Sequence, residues 1–298
     1  MDTFVIRRAE PLEVVRAYLH LSKPRIVALL VFTTITAAFI AADGRPNPMI
    51  LLWTTIGGAG AAMSASAWNQ IIDRKMDAQM ERTARRPIPS GKIKVRDAIV
   101  YAVSVLVLSI VLLGVAVNWL TAWLSLIGAV YYVVLYTMIL KRNTSVNIVI
   151  GGGAGAMPVL VGWAAITQSL PIEAWVLFAI IFYWTPPHSW ALALIVNDDY
   201  ARVGVPMMPA AHGEHATYWQ ILVYSILLWI VSLLPYPLGM LGLPYTLSAF
   251  VLGLGLVILS IRLMYRSTPA LQYRLWKYST YYLALLFLVM IVDSVIYW

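Results

Sequence analysis

The sequence predicts an all-α membrane protein with nine transmembrane helices. Composition and the blockwise distribution of apolar residues carry that prediction, and the placement of Lys and Arg orients it. Of 298 residues, 61% are hydrophobic and 11% are charged, against roughly 25% charged in an ordinary soluble domain. The apolar residues fall in runs of about 20, which suits helices crossing a hydrocarbon core roughly 30 Å thick. Lipid admits only helices or closed barrels. Barrel strands alternate apolar and polar residues over about 10 positions, and these runs are longer and uniformly apolar.

The nine spans fall at about 24–42, 48–68, 97–117, 120–140, 147–167, 172–195, 219–239, 243–263 and 278–297. With that count, 20 of the 21 Lys and Arg residues lie on one side of the membrane, and only Arg45 lies on the other. Cytoplasmic loops accumulate Lys and Arg, so the N-terminus is expected in the cytoplasm and the C-terminus outside. The same rule accounts for the net charge of +8 without nucleic-acid binding. The chain reads as one domain, residues 1–298, with two long cytoplasmic loops, 69–96 and 196–218.

No cysteine is present, so disulfide, iron–sulfur and thiolate chemistry are excluded. The first 25 residues carry scattered charges and lack the apolar core of a signal peptide. Asp2, Glu10 and Glu13 argue against an organelle transit segment. The expected location is a prokaryotic plasma membrane, as a multi-pass protein.

The chemistry-bearing pattern is Asn69-Gln70-Ile71-Ile72-Asp73-Arg74-Lys75-Met76-Asp77 at the cytoplasmic end of the second span. A spacing of four places Asn69, Asp73 and Asp77 on one helical face, drifting about 40° per step. Two carboxylates and an amide are hard oxygen ligands suited to Mg²⁺, which typically binds one or two carboxylates plus substrate phosphates. Arg74, Lys75, Arg82, Arg85, Arg86 and Lys92 follow, and Arg grips phosphate oxygens in a bidentate fashion. Acidic and basic groups in one loop are what a magnesium-diphosphate site needs.

The second long loop opens with Asn197-Asp198-Asp199-Tyr200. Trp184-Thr185-Pro186-Pro187-His188 precedes it inside the sixth span. Two prolines are expected to break that helix, and a histidine within a span is by default a functional candidate. The glycine runs Gly57-Gly58 and Gly151-Gly152-Gly153 lack the flanking strand and Lys-Ser/Thr of a phosphate loop. They read as close helix packing or as room for a bulky ligand.

These residues together resemble the intramembrane aromatic prenyltransferases of the UbiA type, and within them the branch that farnesylates protohaem IX. The branch-level likeness rests on Leu21-Ser22-Lys23-Pro24-Arg25, Met80-Glu81-Arg82-Thr83 with Arg86-Pro87, and Leu140-Lys141-Arg142-Asn143-Thr144. It continues through Asn147 to Gly162-Trp163, the Pro-Pro-His segment, and Asp199-Tyr200 to Pro206-Met207-Met208-Pro209. The resemblance implies a UbiA-type helical bundle that converts farnesyl diphosphate, haem b and water into haem O and diphosphate. It implies Mg²⁺ held by Asn69, Asp73 and Asp77, with Asp198 and Asp199 on a second metal-facing loop. Lys23, Arg25, Arg74, Arg82, Arg86, Lys141 and Arg142 would contact diphosphate or haem propionates, and His188 would stand on the haem side. Enzymes that use haem O would be its partners. The second acidic motif departs from the superfamily pattern, being an adjacent pair where spaced aspartates are usual.

Three other readings compete. Prenylation of a quinone precursor or another lipid acceptor would use the same Asp motif but has no particular need of His188. A transporter would place its ionisable residues near the midplane, whereas these cluster at one face. A structural membrane subunit leaves the Asp-rich loop without a purpose.

Overall fold

A computed structural model describes residues 11–202 and 204–297, with the side chains of Asp198, Tyr200, Ala201 and Tyr297 left aside. The regular elements among the described residues are all helices, without a strand. A short helix, α1 (Pro11–Ser22), precedes α2 (Pro24–Ala41), α3 (Pro48–Asp77) and α4 (Val95–Ala116). Next comes a continuous rod of α5 (Trp119–Val130), a π-helical stretch (Tyr131–Leu140) and α6 (Lys141–Asn143). The chain then forms α7 (Asn147–Thr167), α8 (Ile172–Ile195), the short α9 (Asn197–Arg202), α10 (Met208–Leu233), α11 (Leu243–Tyr265) and α12 (Pro269–Tyr297).

Among the described residues, eight helical stretches are long and apolar enough to cross a membrane, the 119–143 rod counting as one. The other long helix, α8, has 24 residues, but Thr185, two prolines, His188 and Ser189 dilute its apolar run. Large hydrophobic residues such as Val107, Leu108, Val111 and Val115 on α4, and Phe250 and Val251 on α11, are exposed at the surface. A soluble protein would bury a patch of that extent. In lipid it is the expected exterior.

Local chemistry sets several boundaries. Asn47 caps α3, its Oδ1 accepting from Met49 N at 2.9 Å and Ile50 N at 3.3 Å, with Pro48 opening the helix. Asn118 caps α5 through Thr121 N at 2.9 Å and donates from Nδ2 to Ala164 O at 2.9 Å, tying α5 to the end of α7. Asp293, buried in α12, caps α11: its carboxylate accepts from Gly242 N at 2.5 Å and Tyr245 N at 3.3 Å. Its role is thus to satisfy orphan helix donors. Asp293→Ala is expected to cost about 1–2 kcal/mol and lower the melting temperature of detergent-solubilised protein. Asp293→Asn should recover most of the loss, and an unchanged melting temperature for the alanine variant would refute the capping role.

Three expectations need correction. The Asn69-to-Asp77 motif is not in a loop, because α3 runs unbroken to Asp77. Pro186 and Pro187 do not break α8, which is continuous from Ile172 to Ile195. Thr185 Oγ1 donates to Ile181 O at 2.9 Å within the same turn. Finally, α10 and α12 begin well before the expected 219 and 278, and α10 ends at Leu233 instead of 239. At Gly213, with φ of 82°, α10 is kinked, a backbone conformation open to glycine.

The core is centred on α7 and α8 with α2, α11 and α12 around them. Glycine decides the closest approaches. A Cβ on Gly162 of α7 would lie 2.0 Å from Thr34 O of α2, and one on Gly60 of α3 would lie 2.1 Å from Ser109 Oγ of α4.

Candidate active site

The long α3 carries its polar motif and a stripe of small residues on one face. Counting back from Asp77, the positions Asp73, Asn69, Ser66, Ala62 and Gly58 recur every three or four residues, which is one side of an α-helix. Asn69, Asp73 and Asp77 are buried at 3%, 0% and 2% exposure. Buried carboxylates must be paired, and each is.

Asp73 accepts from Lys141 Nζ at 2.5 Å, Arg142 Nη2 at 3.2 Å and Asn69 Nδ2 at 3.0 Å. Asn69 Nδ2 also reaches Thr137 Oγ1 at 3.2 Å, and Asn69 Oδ1 accepts from Lys23 Nζ at 2.6 Å. Asp77 pairs with Arg86 Nη1 at 2.7 Å, while its carbonyl accepts from Thr83 Oγ1 at 2.9 Å. Four cations from three separate segments therefore converge on one helix end.

The placement of Lys23 is built rather than incidental. Gln70 Nε2 donates to the last carbonyls of α1, His20 O at 3.1 Å and Leu21 O at 2.8 Å. Ser22 Oγ bonds Tyr101 OH at 2.6 Å. Lys23 itself sits in the left-handed region, φ 51° and ψ 61°, directly before Pro24. Such backbone strain concentrates at functional sites. Burial lowers the Lys23 ammonium from its usual range to about 7, and Arg86 and Lys141 push it the same way. Asp77 and Asp73 oppose them.

Below this polar cluster lies a cavity of about 430 Å³. Gly58, Ala62 and Ser66 of α3 form one wall. Ser125, Gly128 and Tyr132 of the 119–143 rod form another, and Gly151, Ala154, Gly155 and Pro158 of α7 a third. Trp184, Thr185 and His188 of α8 and Thr33 and Thr34 of α2 complete it. The small residues thus do both jobs open to them, since Gly57 and Gly60 meet α4 while Gly58 and Gly155 have nothing within 4 Å of a Cβ.

His188 stacks on Trp184, ring centroids 4.4 Å apart and 18° between planes. Its Nδ1 lies 2.9 Å from Ser279 Oγ. The Ser279 hydroxyl also lies 2.7 Å from Trp276 O; when it donates its single hydrogen there, His188 Nδ1 is the protonated nitrogen. Nε2 then carries a lone pair and has no hydrogen-bond partner among the described residues.

Of the residues expected from sequence, Lys23, Asn69, Asp73, Lys141 and Arg142 form one hydrogen-bonded network, and the Asp77–Arg86 pair stands one helical turn further along α3. His188 stands on the cavity wall below it. Arg74 turns back onto its own helix, donating to Ile71 O at 2.7 Å. Arg25 and Arg82 are exposed. Asp199 is half-buried on α9, and the side chain of Asp198 lies outside the described residues. No group of three or more His, Asp or Glu closes on a metal position among the described residues. Sequence reasoning did not single out Gln70 or Thr137, which are ordinary polar residues in one dimension.

Residues 30–291 match the UbiA prenyltransferase family. The chain belongs to that family. Protoheme IX farnesyltransferase of Trichormus variabilis is 48% identical over 298 residues, covering 99% of this chain and 94% of the relative. The Gloeobacter violaceus protein of the same name is 48% identical, covering 93% of this chain and 92% of the relative. The Chloroflexus aurantiacus protein of that name is also 48% identical, but this chain spans 48% of its length.

Among solved UbiA-type structures, one of a digeranylgeranylglyceryl phosphate synthase superposes with a TM-score of 0.80 at 19% identity, covering 95% of this chain and 99% of that one. A UbiA homologue from Archaeoglobus fulgidus bound to DMAPP and Mg²⁺ gives 0.65 at 16% identity, covering 92% and 99%. At these identities the likeness establishes the UbiA fold, embedded in a membrane through its apolar helices.

Proposed function

We propose that this UbiA prenyltransferase transfers the farnesyl group of farnesyl diphosphate to a vinyl group of haem b, with addition of water, giving haem O and diphosphate. The observation that carries the reading is the junction of the buried acid-and-cation cluster with an apolar cavity bearing a free histidine nitrogen. Relatives at 48% identity over nearly the whole chain carry the name of that activity.

The residues fit a divalent cation bound with diphosphate. Asn69, Asp73 and Asp77 offer hard oxygens on one face, and Lys23, Arg86, Lys141 and Arg142 already compensate them. Asn69, Asp73 and Asp77 would hold Mg²⁺, with Asp198 and Asp199 as further ligands. The ion supplies neutralisation of charge on the leaving diphosphate.

The remaining steps belong to the chain itself. Arg86, Lys141 and Arg142 exchange carboxylate partners, and Lys23 its Asn69 amide partner, for phosphate oxygens, stabilising the charge that develops as the allylic C–O bond breaks and the diphosphate departs with the electron pair. Arg25, Arg74 and Arg82, further from the cluster, draw the anion in. The apolar walls keep water from the farnesyl cation. The vinyl π electrons form the new C–C bond, and water captures the resulting cation and releases a proton. His188 presents Nε2 to the haem.

We also read α8 as a span, the sixth in chain order, which brings the total to nine, with the N-terminus in the cytoplasm of a prokaryotic cell and the C-terminus outside.

The direct test incubates purified protein with farnesyl diphosphate, Mg²⁺ and haem b, with and without chelator, and detects product by mass spectrometry. Chelator-sensitive farnesylated haem is expected. Product formed only with a quinone-precursor phenol would overturn the haem assignment.

His188→Ala tests the haem side. It is expected to raise the KM for haem at least tenfold and alter the haem absorption spectrum on binding, while farnesyl diphosphate affinity stays within about twofold. Equal loss of both substrates would refute a haem-specific role.

A further inference from the structure

Asn147 is wholly buried, yet neither its Oδ1 nor its Nδ2 has a hydrogen-bond partner among the described residues. Buried side-chain amides are almost always paired, and an unpaired one in a native fold calls for an explanation, such as a functional role or a bound water or ion. Asn147 is the first residue of α7, and no side chain caps that helix. Its first-turn N–H groups are the positive end of a 21-residue helix.

Helical periodicity gives the direction. Gly151, Ala154, Gly155 and Pro158 follow Asn147 at four, seven, eight and eleven residues, and all four line the cavity. Asn147 therefore stands on the cavity-lining face of α7, at its cytoplasmic mouth. Asp73 occupies the matching place on α3, above Ser66 and Ala62. The turn leading into Asn147 is anchored there too, because Lys141 bonds Asp73 at 2.5 Å and Asn147 N donates to Thr144 O at 3.3 Å.

We propose that the Asn147 side chain and the uncapped first turn of α7 form a neutral hydrogen-bonding site for the diphosphate leaving group. The inference rests on the prenyltransferase reading above and adds a residue to it. Nδ2 and the helix N–H groups donate to phosphate oxygens, and Oδ1 accepts from a hydrating water. These donors carry no charge, so they strengthen the grip on departing diphosphate without adding to the repulsion among Lys23, Arg86 and Lys141.

The test compares Asn147→Leu, close in volume and apolar, with Asn147→Asp, the same shape but negative. The probe is inorganic diphosphate with Mg²⁺, and the readouts are melting temperature and diphosphate affinity in detergent. In Asn147→Leu we expect a melting temperature at or above that of the parent, because an unpaired polar group has been removed, with affinity reduced at least tenfold. Asn147→Asp should lose at least as much affinity through repulsion. A lower melting temperature with unchanged affinity in the leucine variant would show a structural residue and overturn the proposal. Should that variant not insert, unchanged affinity in Asn147→Asp overturns it equally. The probe contains neither haem nor prenyl chain, so failure of haem farnesylation would leave this result readable.

Discussion

Asp73→Ala is expected to reduce turnover by roughly 10³-fold or more, beyond the 10²–10³ seen for loss of a single transition-state donor. Three side chains depend on this carboxylate. Lys141 and Arg142 neutralise it, and Asn69 is oriented by it. Its removal takes away a metal ligand, frees two cations to repel each other, and lets the amide turn. Because the carboxylate has 0% exposure, Asp73→Ala is also expected to destabilise the fold, by up to about 3–5 kcal/mol for a broken buried pair. Asp73→Asn separates the two effects. It keeps the shape and one oxygen acceptor but not the charge that pairs Lys141 and Arg142, so it should insert and lose less stability than the alanine variant while remaining almost inactive. Product formation by mass spectrometry and thermal melting in detergent measure both. Activity near the parent level in either variant would remove Asp73 from the site.

Gly162→Ala should give a large loss of stability without removing a charge. Its Cβ would fall 2.0 Å from Thr34 O, 2.9 Å from Thr34 C and 3.1 Å from Thr34 Cα. Those are backbone atoms and cannot swing aside, so α2 and α7 would have to separate. Overpacking typically costs about 1–3 kcal/mol and occasionally more, and a clash with fixed backbone belongs at the upper end of that range. Activity should fall as well, since Thr33 and Thr34 line the cavity. Gly155→Ala is the control, because nothing lies within 4 Å of its Cβ. It should be neutral or stabilise by about 0.5–1 kcal/mol through helix propensity. Equal melting temperatures for the two alanine variants would refute the close-contact account.

Hydropathy located the membrane helices because lipid imposes a length and an apolar composition on each span. The runs expected at 147–167 and 172–195 coincide with α7 and α8. It misplaced the starts of α10 and α12 because their first turns are polar and protrude from the apolar block. Leu271, Trp276, Met207 and Met208 there are held by packing among α8, α10 and α12 instead. The proline pair misled for a related reason: neighbouring helices can support a continuous α8 where an isolated one would break.

The sequence by itself determined the helical membrane class, the acidic face of α3, and the separate presence of Lys23, Arg86, Lys141 and His188, because period and residue chemistry are local. Only the tertiary structure decided which cations meet which carboxylate, because Lys23, Arg86 and Lys141 come from three segments brought together by Gln70 and by packing of α3 against the 119–143 rod. It alone showed that Arg74 turns away and that, among the described residues, His188 Nε2 and the buried Asn147 side chain have no hydrogen-bond partner. Those properties depend on what surrounds a side chain, and that is set by contacts between residues far apart in the chain.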